Sequence, residues 1–444
     1  MGLRTKPRTT WIARRRPPVP DVVLHVPGRI EVLGKHVDYA GGRSLLCATD
    51  RAFSFAVTPS STGTLRLRDT VSGQQLVVDP DRLNAPTPAR GSGWGLYPRA
   101  VVRRVVADFG PEAIPGCDVE FSSDIPSSAG VSSSSAFVTG LFLALDAAAG
   151  LLEQERGRRA IPDTAALAGY LGAIESGRPF AGLGEGAGGV GVRGGAQDHT
   201  AILCSREGAL IQACFGPVRV EDAVEIPADL RFVIGVSGVR APKARAARAR
   251  YNALSDRARR IIEIWREAHG ESEDDAPHLG AVVRRRRAAG AGPPEVIDEV
   301  SAVMRGSHDP EAEALAARVE QFVIETEMHV PGVVAALRSR EMDRVGHLVD
   351  QSQELADRVL ENQVPATRAL AATARELGAT AASSFGAGFG GAVWALVPAS
   401  EVGDFSTAWK ERYSRDFPRY ARRVDVFETV ASEPAGPLPA RFRS

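Results

Sequence analysis

A loop of small residues followed by an apolar run is the first feature of this chain that predicts chemistry. Residues 127–135 read Ser-Ser-Ala-Gly-Val-Ser-Ser-Ser-Ser, and the apolar run 137–149 follows them. Side chains this small let several backbone N–H groups converge on an anion, and the N-terminus of a following helix adds its dipole. The Gly-Lys-Ser/Thr of a Walker loop is missing. The stretch predicts a phosphate site, and a strand-to-helix turn capped by serine is the alternative.

Two further segments lie far from this loop in the chain. Residues 27–42 read Pro-Gly-Arg-Ile-Glu-Val-Leu-Gly-Lys-His-Val-Asp-Tyr-Ala-Gly-Gly, and residues 386–391 read Gly-Ala-Gly-Phe-Gly-Gly. Together with the loop at 127–135, they resemble the three signature motifs of the GHMP kinases, specifically of the galactokinase-like sugar branch. That branch writes Pro-Gly-Arg and then Gly-Glu-His-x-Asp-Tyr-x-Gly-Gly in its N-terminal motif. The chain follows the pattern with one departure, which is Lys35 in the place of the glutamate.

The resemblance covers most of the chain, because Glu175, Asp198, the pair Tyr251-Asn252 and the segment 361–396 occur in the family's order. It implies a two-domain α+β fold, with an α+β N-terminal domain, a ferredoxin-like C-terminal domain and the active site between them. A chain of 444 residues is long enough for two such domains.

The predicted elements bring the motifs to the ends of strands and helices. Strands at 22–26 and 119–121 lead into the first motif and the phosphate loop, and helices at 94–109 and 164–175 have apolar residues at helical spacing.

The domain boundary is predicted near the apolar strand at 230–236. This assigns 21–228 to the N-terminal domain and 229–433 to the C-terminal domain. Residues 1–20 are basic and rich in proline, and we expect them and the tail 434–444 to be disordered.

Composition excludes several classes of partner. Lysine plus arginine and aspartate plus glutamate number 54 each, so no overall field favours nucleic acid or a membrane surface. No apolar run reaches transmembrane length, and the N-terminal arginines precede prolines instead of an apolar stretch.

The four cysteines have no metal-ligand spacing and are interpreted as buried thiols. We therefore expect a cytoplasmic protein, monomeric or weakly homo-oligomeric, whose partner is a small-molecule sugar.

Phosphoryl transfer requires groups that hold the phosphates and a divalent cation. By resemblance, ATP is bound by the phosphate loop and by the third motif, and Mg²⁺ by Ser134 and Glu175, whose oxygen atoms suit this ion. Without the resemblance, Ser134 would be interpreted as a helix cap and Glu175 as a surface residue. The predicted ATP contacts are Ser127, Ser128, Ala129, Gly130, Val131, Ser132, Ser133, Ser134, Ser135 and Gly388.

Asp198 matches the catalytic aspartate of the family, and Arg29 matches its catalytic arginine. The carboxylate either takes the proton of the acceptor hydroxyl or orients it, while the guanidinium stabilises the transferring charge and keeps Asp198 ionised. The family writes Met-Asp-Gln around this aspartate, where the chain has Gln-Asp-His at 197–199. A loop salt bridge is the structural alternative for the pair.

Resemblance also assigns His36, Asp38, Gly195 and Tyr251 as contacts to sugar hydroxyls. Lys35 stands where galactokinases use a glutamate to bind the primary hydroxyl of the sugar, and an ammonium group offers only donors and a positive charge. One hypothesis is therefore an aldose with an anionic end, such as the heptose or octose phosphates of nucleotide-sugar and antibiotic-sugar pathways. The alternative is that Lys35 points to solvent or pairs with a carboxylate, and that a neutral sugar such as galactose is bound.

These residues predict an ATP-dependent kinase for the anomeric C1 hydroxyl of an aldose. A non-catalytic sugar sensor and a GHMP kinase for a non-sugar alcohol are the alternatives, and retention of both the catalytic and the sugar motifs disfavours them. The glycine-rich stretch 177–195 is interpreted as a solvated insertion, with a lid over the sugar as the second possibility.

Overall fold

The computed structural model describes residues 22–60, 63–80, 95–114, 116–126, 130–185, 188–239 and 244–438, except for the side chains of 244–248. The predicted disordered segment 1–20 lies outside these residues. Strands and helices are numbered in chain order. The strands are β1 (Val22–Leu33), β2 (Arg43–Pro59), β3 (Leu65–Asp69), β4 (Gln75–Val78), β5 (Cys117–Ser123), β6 (Ala209–Cys214), β7 (Arg219–Glu225), β8 (Leu230–Val236), β9 (Ala381–Phe385), β10 (Ala392–Pro398) and β11 (Asp425–Thr429).

The helices of the described residues connect and cover these strands. They are α1 (Leu96–Phe109), α2 (Ser133–Ala149), α3 (Glu155–Ala160), α4 (Thr164–Ser176), α5 (Gln197–Cys204), α6 (Ala244–His269), α7 (Leu279–Ala288), α8 (Pro293–Gly306), α9 (Ala312–Val323), α10 (Val330–Arg338), α11 (Met342–Arg358), α12 (Pro365–Glu376) and α13 (Val402–Asp416).

The first sheet contains seven of the described strands. Its order is β4-β3-β5-β2-β6-β7, and β1 pairs with β2 off this path. All of its pairs are antiparallel except the parallel pair β3 and β5. Helix α2 packs on β1 and β2 with an almost wholly buried apolar surface. This burial fixes the N-terminus of α2 at the end of the sheet where the phosphate loop arrives from β5.

The second sheet confirms the ferredoxin-like prediction. The described strands β11-β8-β10-β9 are antiparallel neighbours in that order. In the chain, β8 is followed by helices, then by the adjacent strands β9 and β10, then by α13 and β11, which is the β-α-β-β-α-β pattern. Trp409 of α13 is fully buried against this sheet, and its indole N–H donates to the carbonyl oxygen of Leu370 at 3.1 Å.

Helices α6 to α9 form a separate apolar cluster that reaches the first motif. Val37 and Ala40 of that motif are buried among side chains of these helices, including Trp265 and Phe322. The helical region therefore supports the loop that carries His36 and Asp38, although it lies more than 200 residues away in the chain.

The observed elements are compatible with the predicted domain boundary and correct the predicted tail. β7 ends at Glu225 in the first sheet and β8 begins at Leu230 in the second, so the boundary at 228/229, which remains a prediction, falls between them. Residues 434–438 are ordered, because Leu438 is buried in the core and the backbone N–H of His25 donates to the carbonyl oxygen of Gly436 at 2.7 Å. Among the described residues, no helix is both long and apolar enough to cross a bilayer.

Candidate active site

A cavity of about 400 Å³ opens where the phosphate loop, the first motif and the β9–β10 loop meet. One side is formed by the small residues at the N-terminus of α2 and by Glu175. The other side carries polar side chains of the first motif and of α5 and α6. Its walls include Arg29, Glu31, His36, Asp38, Tyr97, Gly130, Ser132, Ser133, Ser134, Ser135, Glu175, Val190, Val192, Gly194, Gly195, Gln197, Asp198, Tyr251, Gly386, Ala387, Gly388 and Phe389.

The phosphate side contains most of the predicted ATP contacts. Gly130 and residues 132–135 line the cavity, and so does Gly388 of the third motif. A Cβ atom at Gly388 would lie 2.5 Å from the carbonyl oxygen of Asn362, so the β9–β10 loop needs glycine there. Ser127, Ser128 and Ala129 lie outside the described residues. The side chain of Val131 is buried and is not part of the cavity wall, so a contact of this residue with ATP through its backbone stays a prediction.

Arg29 and Asp198 form an ion pair across the floor of the cavity. Arg29 Nε donates to Asp198 Oδ1 at 2.7 Å, and a second guanidinium nitrogen donates to the carbonyl oxygen of Gly130 at 2.7 Å. Arg29 lies on β1 and Asp198 in the first turn of α5. Ser132 Oγ donates to the other carboxylate oxygen, Asp198 Oδ2. The pair therefore joins the predicted catalytic groups to the phosphate loop.

The surroundings of Asp198 keep it ionised. Burial alone raises the pKa of this carboxyl, but the Arg29 guanidinium, the Ser132 hydroxyl and His199 outweigh burial, so the pKa lies below its ordinary value. About 30% of the side-chain surface remains exposed, towards the cavity. Asp198 is thus an ionised acceptor at the wall of an open site at neutral pH.

Glu175 also lies next to the N-terminus of α2, as the resemblance implied. Its Oε2 atom accepts a hydrogen bond from Ser135 Oγ at 3.0 Å and lies 3.4 Å from His199 Nε2. His199 is oriented by Thr139, whose Oγ1 lies 3.0 Å from His199 Nδ1. Ser134, the predicted metal ligand, lines the same wall, but Ser135 is the serine that contacts Glu175. A carboxylate with adjacent hydroxyls is a donor set that suits a hard cation.

The sugar side brings together four of the five predicted substrate contacts. His36 Nε2 donates to the carbonyl oxygen of Ala387 at 3.2 Å, and its other ring nitrogen lies 3.1 Å from the hydroxyl of Tyr39. Burial, together with the positive charge of Arg318, lowers the pKa of His36 to about 4, so the ring is neutral. The Tyr251 ring packs 5.1 Å from the His36 ring, measured between centroids. The imidazole is therefore held in one orientation.

Asp38 and Gly195 complete this side. Asp38 Oδ2 accepts a hydrogen bond from the backbone N–H of Gln197 at 3.2 Å, yet burial dominates and raises the pKa of Asp38. A Cβ atom at Gly195 would lie 2.3 Å from Asp38 Oδ2, so only glycine allows this approach.

Lys35 is the predicted contact that the structure does not bring to the cavity. The side chain is buried and is not part of the cavity wall, and Nζ donates to Ser352 Oγ at 3.2 Å. Ser352 in turn donates to Glu325 Oε1 at 2.9 Å. Burial raises the pKa of Glu325, but His329, Lys35 and the Gly34 N–H outweigh it and lower the pKa to about 2. Of the alternatives for Lys35, the structure supports pairing with a carboxylate.

Sequence reasoning missed three polar side chains of the cavity, Glu31, Tyr97 and Gln197. Glu31 lies within the first motif and Gln197 next to Asp198, but strand periodicity alone does not show that Glu31 faces a cavity instead of the core.

The interpretation of the glycine-rich stretch 177–195 as a solvated insertion is wrong for part of that stretch. Val190, Val192 and Gly194 line the cavity, and the N–H of Val190 donates to the carbonyl oxygen of Glu175 at 2.9 Å, so this part is not a solvated insertion.

Family models agree with the three motifs. The galactokinase galactose-binding signature matches residues 14–59, the N-terminal domain of GHMP kinases matches 97–177, and the GHMP kinase C-terminal model matches 333–415. The chain therefore has the N- and C-terminal domains of the GHMP kinases together with the galactokinase signature.

Similar proteins extend this assignment over nearly the whole chain. Galactokinase of Streptomyces coelicolor is 26% identical over 423 residues, which is 93% of this chain and 93% of that protein. Galactokinase of Mycobacterium tuberculosis is 26% identical over 385 residues, covering 85% of this chain and 89% of that protein. The crystal structure of Lactococcus lactis galactokinase complexed with galactose superposes with a TM-score of 0.73 at 19% identity, over 94% of this chain and 95% of that one. The galactokinase-like chain thus has the two-domain GHMP kinase fold.

Proposed function

We propose that the protein is an ATP-dependent sugar kinase that phosphorylates the anomeric C1 hydroxyl of an aldose. The observation that carries the proposal is the Arg29–Asp198 pair, which lies between the phosphate loop and the polar side of the cavity. An acceptor hydroxyl next to Asp198 would lie close to phosphates held at the N-terminus of α2. The match to the GHMP kinase domains supports the reaction class, and the galactose-binding signature supports a sugar acceptor.

The chemistry follows from the charges of these groups. Asp198, kept ionised by Arg29 and Ser132, accepts the hydrogen bond of the C1 hydroxyl and is oriented to take its proton as the new O–P bond forms. The bond between the γ-phosphorus and its bridging oxygen breaks, and ADP leaves. Arg29 faces the negative charge of the transferring phosphoryl group.

A divalent cation fits the phosphate side of this cavity. Glu175 and the hydroxyls of Ser134 and Ser135 would hold Mg²⁺ together with phosphate oxygens, and the ion would supply charge neutralisation there. His199, which contacts Thr139, lies behind this carboxylate with its Nε2 atom 3.4 Å from Glu175 Oε2.

A neutral aldose such as galactose is the better-supported acceptor. The proposal of an anionic terminus, as in heptose or octose phosphates, depended on Lys35, and this ammonium group is paired through Ser352 with Glu325 outside the cavity. The sugar side instead presents the carboxyl groups of Glu31, Asp38 and Asp198. These groups suit sugar hydroxyls and give an anionic terminus little attraction.

The test is ADP release from ATP and Mg²⁺ with a panel of neutral aldoses, aldose phosphates, uronic acids, mevalonate and homoserine. The proposal expects ADP release with one or more neutral aldoses and a much lower kcat/KM with the phosphates. Binding of an aldose without ADP release would favour the sensor alternative. Turnover only with mevalonate or homoserine would contradict the sugar assignment.

A further inference from the structure

Glu31 is a buried carboxyl group in the cavity wall that the proposed reaction does not use. It lies on β1 two residues after Arg29 and is 3% exposed. Its Oε2 atom accepts a hydrogen bond from the side-chain amide of Gln197. Among the described residues, its Oε1 atom has no hydrogen-bond partner although it is buried. A buried polar atom without a partner is costly, so one at the wall of a binding cavity points to a missing ligand group.

The position of Glu31 is fixed by the residues that build the sugar side. Ser44 Oγ donates to Gln197 Oε1 at 3.0 Å, which turns the amide N–H₂ towards Glu31. The backbone N–H of the same Gln197 donates to Asp38, and the next residue is Asp198. One residue of α5 therefore holds Glu31 and Asp38 beside the catalytic carboxylate, so a sugar bound against Asp38 and Asp198 lies next to Glu31.

We propose that Glu31 is a substrate-binding residue, whose Oε1 atom donates a hydrogen bond to a hydroxyl oxygen of the bound aldose near Asp198 while the carboxyl group is neutral. This inference rests on the proposed sugar-kinase function and adds a residue that determines which sugar fits. Because Oε2 already accepts from Gln197, the proton of a neutral carboxyl group resides on Oε1, and Oε1 is then a donor. A sugar that lacks a hydroxyl at this point would leave Oε1 unpaired and would bind more weakly.

Burial favours a neutral carboxyl group at Glu31, against the effect of the neighbouring cations. Burial raises its pKa to about 8, even though the cations Lys35 and Arg29 and the Gln197 hydrogen bond lower it, and Asp198 adds to the increase. Tyr39 and Tyr251 also face the group, and burial raises the pKa of both above the ordinary tyrosine value, so they stay neutral in this range. The hydrogen bond that Oε1 donates to the sugar oxygen should therefore be present below pH 8 and be lost as the pH rises above it, because the ionised group has no proton to donate.

The experiment is calorimetric titration of the chain with its preferred aldose, without ATP, between about pH 7 and about pH 9. For the wild type we expect the affinity to fall about tenfold, because the neutral fraction of Glu31 falls to about one tenth.

Glu31→Gln keeps a donor and cannot ionise, so its affinity should be independent of pH. Glu31→Ala should bind about tenfold more weakly than the wild type at pH 7, the loss of one hydrogen bond. Glu120→Gln, an exposed glutamate paired with Arg68 on the first sheet, is the matched control and should behave as the wild type.

A second readout measures proton uptake and does not depend on the Glu31→Ala variant being folded. If the neutral group binds the sugar, the wild type takes up about half a proton on binding at pH 8, measured as the dependence of the binding enthalpy on the buffer, and Glu31→Gln takes up none. The inference is overturned if Glu31→Gln retains the pH dependence, which would assign it to Asp38, or if folded Glu31→Ala binds the aldose as tightly as the wild type. If the wild type phosphorylates an aldose and the Glu31 variants bind that aldose as the wild type does, this inference is wrong and the proposed function stands. A wild type that neither binds nor phosphorylates any aldose contradicts it together with the proposed function.

Discussion

The phosphate side and the sugar side of the cavity differ in how closely they follow the family pattern. On the phosphate side, Gly130, the serines of α2, Glu175 and the Arg29–Asp198 pair converge as the motifs implied. On the sugar side, Lys35 is not part of the cavity wall, whereas Glu31 is. The loop that would hold the phosphates is made of backbone groups and small side chains, so motif spacing nearly determines it. Long side chains make the sugar side, and their direction depends on distant partners.

The largest effect on turnover is expected at Asp198, which lies between the phosphate side and the sugar side. Asp198→Asn removes the carboxylate that receives the acceptor proton, so turnover should fall about 100-fold or more, while ATP binding stays close to that of the wild type. Steady-state kinetics and nucleotide titration measure the two quantities. Asp357→Asn, which breaks a surface pair with Arg368, is the control. Turnover of Asp198→Asn within about threefold of the wild type would remove Asp198 from the mechanism.

Arg29→Lys tests the contact between Arg29 and Asp198 through the pH dependence of turnover. Arg29 helps to hold the pKa of Asp198 below its ordinary value, so the ionised, active form is present above that pKa and is lost as the pH falls through it. With lysine, the bond to Gly130 or to Asp198 is lost, turnover falls about tenfold or more, and the acidic limb of the rate profile moves to higher pH. An unchanged acidic limb would contradict the coupling between the two residues.

Glu175→Gln probes the phosphate side alone. It removes a negative charge from the predicted metal site, and the Mg²⁺ concentration for half-maximal activity should rise about tenfold, with little change in the KM for sugar. A magnesium titration of this variant and of Glu376→Gln, a surface control paired with Arg412, makes the comparison. A changed sugar KM with an unchanged Mg²⁺ requirement would assign Glu175 to the wrong side of the cavity.

The smallest effect on catalysis is expected at Lys35. Lys35→Met removes the ammonium group that is linked to buried Glu325 through Ser352, which should cost about 1–3 kcal/mol of stability, while kcat/KM for a neutral aldose in the folded variant stays within about threefold. Urea unfolding and initial rates measure these two changes, with Lys410→Met on the exposed surface of α13 as the control. If Lys35→Met instead loses selectivity between neutral and phosphorylated aldoses, Lys35 faces the substrate.

The sequence was sufficient for the fold and for the residues whose role depends on the backbone. The ferredoxin-like C-terminal domain that the family resemblance implied is observed, and the glycine-rich third motif, predicted to bind ATP with the phosphate loop, lies against that loop at Gly130. Lys35 could not be placed from sequence, because its partners Ser352 and Glu325 lie about 300 residues away and belong to helices without a motif. Glu31 was missed for a related reason, since its pairing with Gln197 follows from tertiary contact and not from spacing.

The most direct test of the account is the position of the phosphate in the product. After reaction of the wild type with ATP, Mg²⁺ and a neutral aldose such as galactose, NMR should show coupling between phosphorus and the anomeric proton, and Asp198→Asn should yield almost no such product. Coupling to a proton at the other end of the sugar, or product formation only from an aldose that already carries a phosphate, would contradict the account.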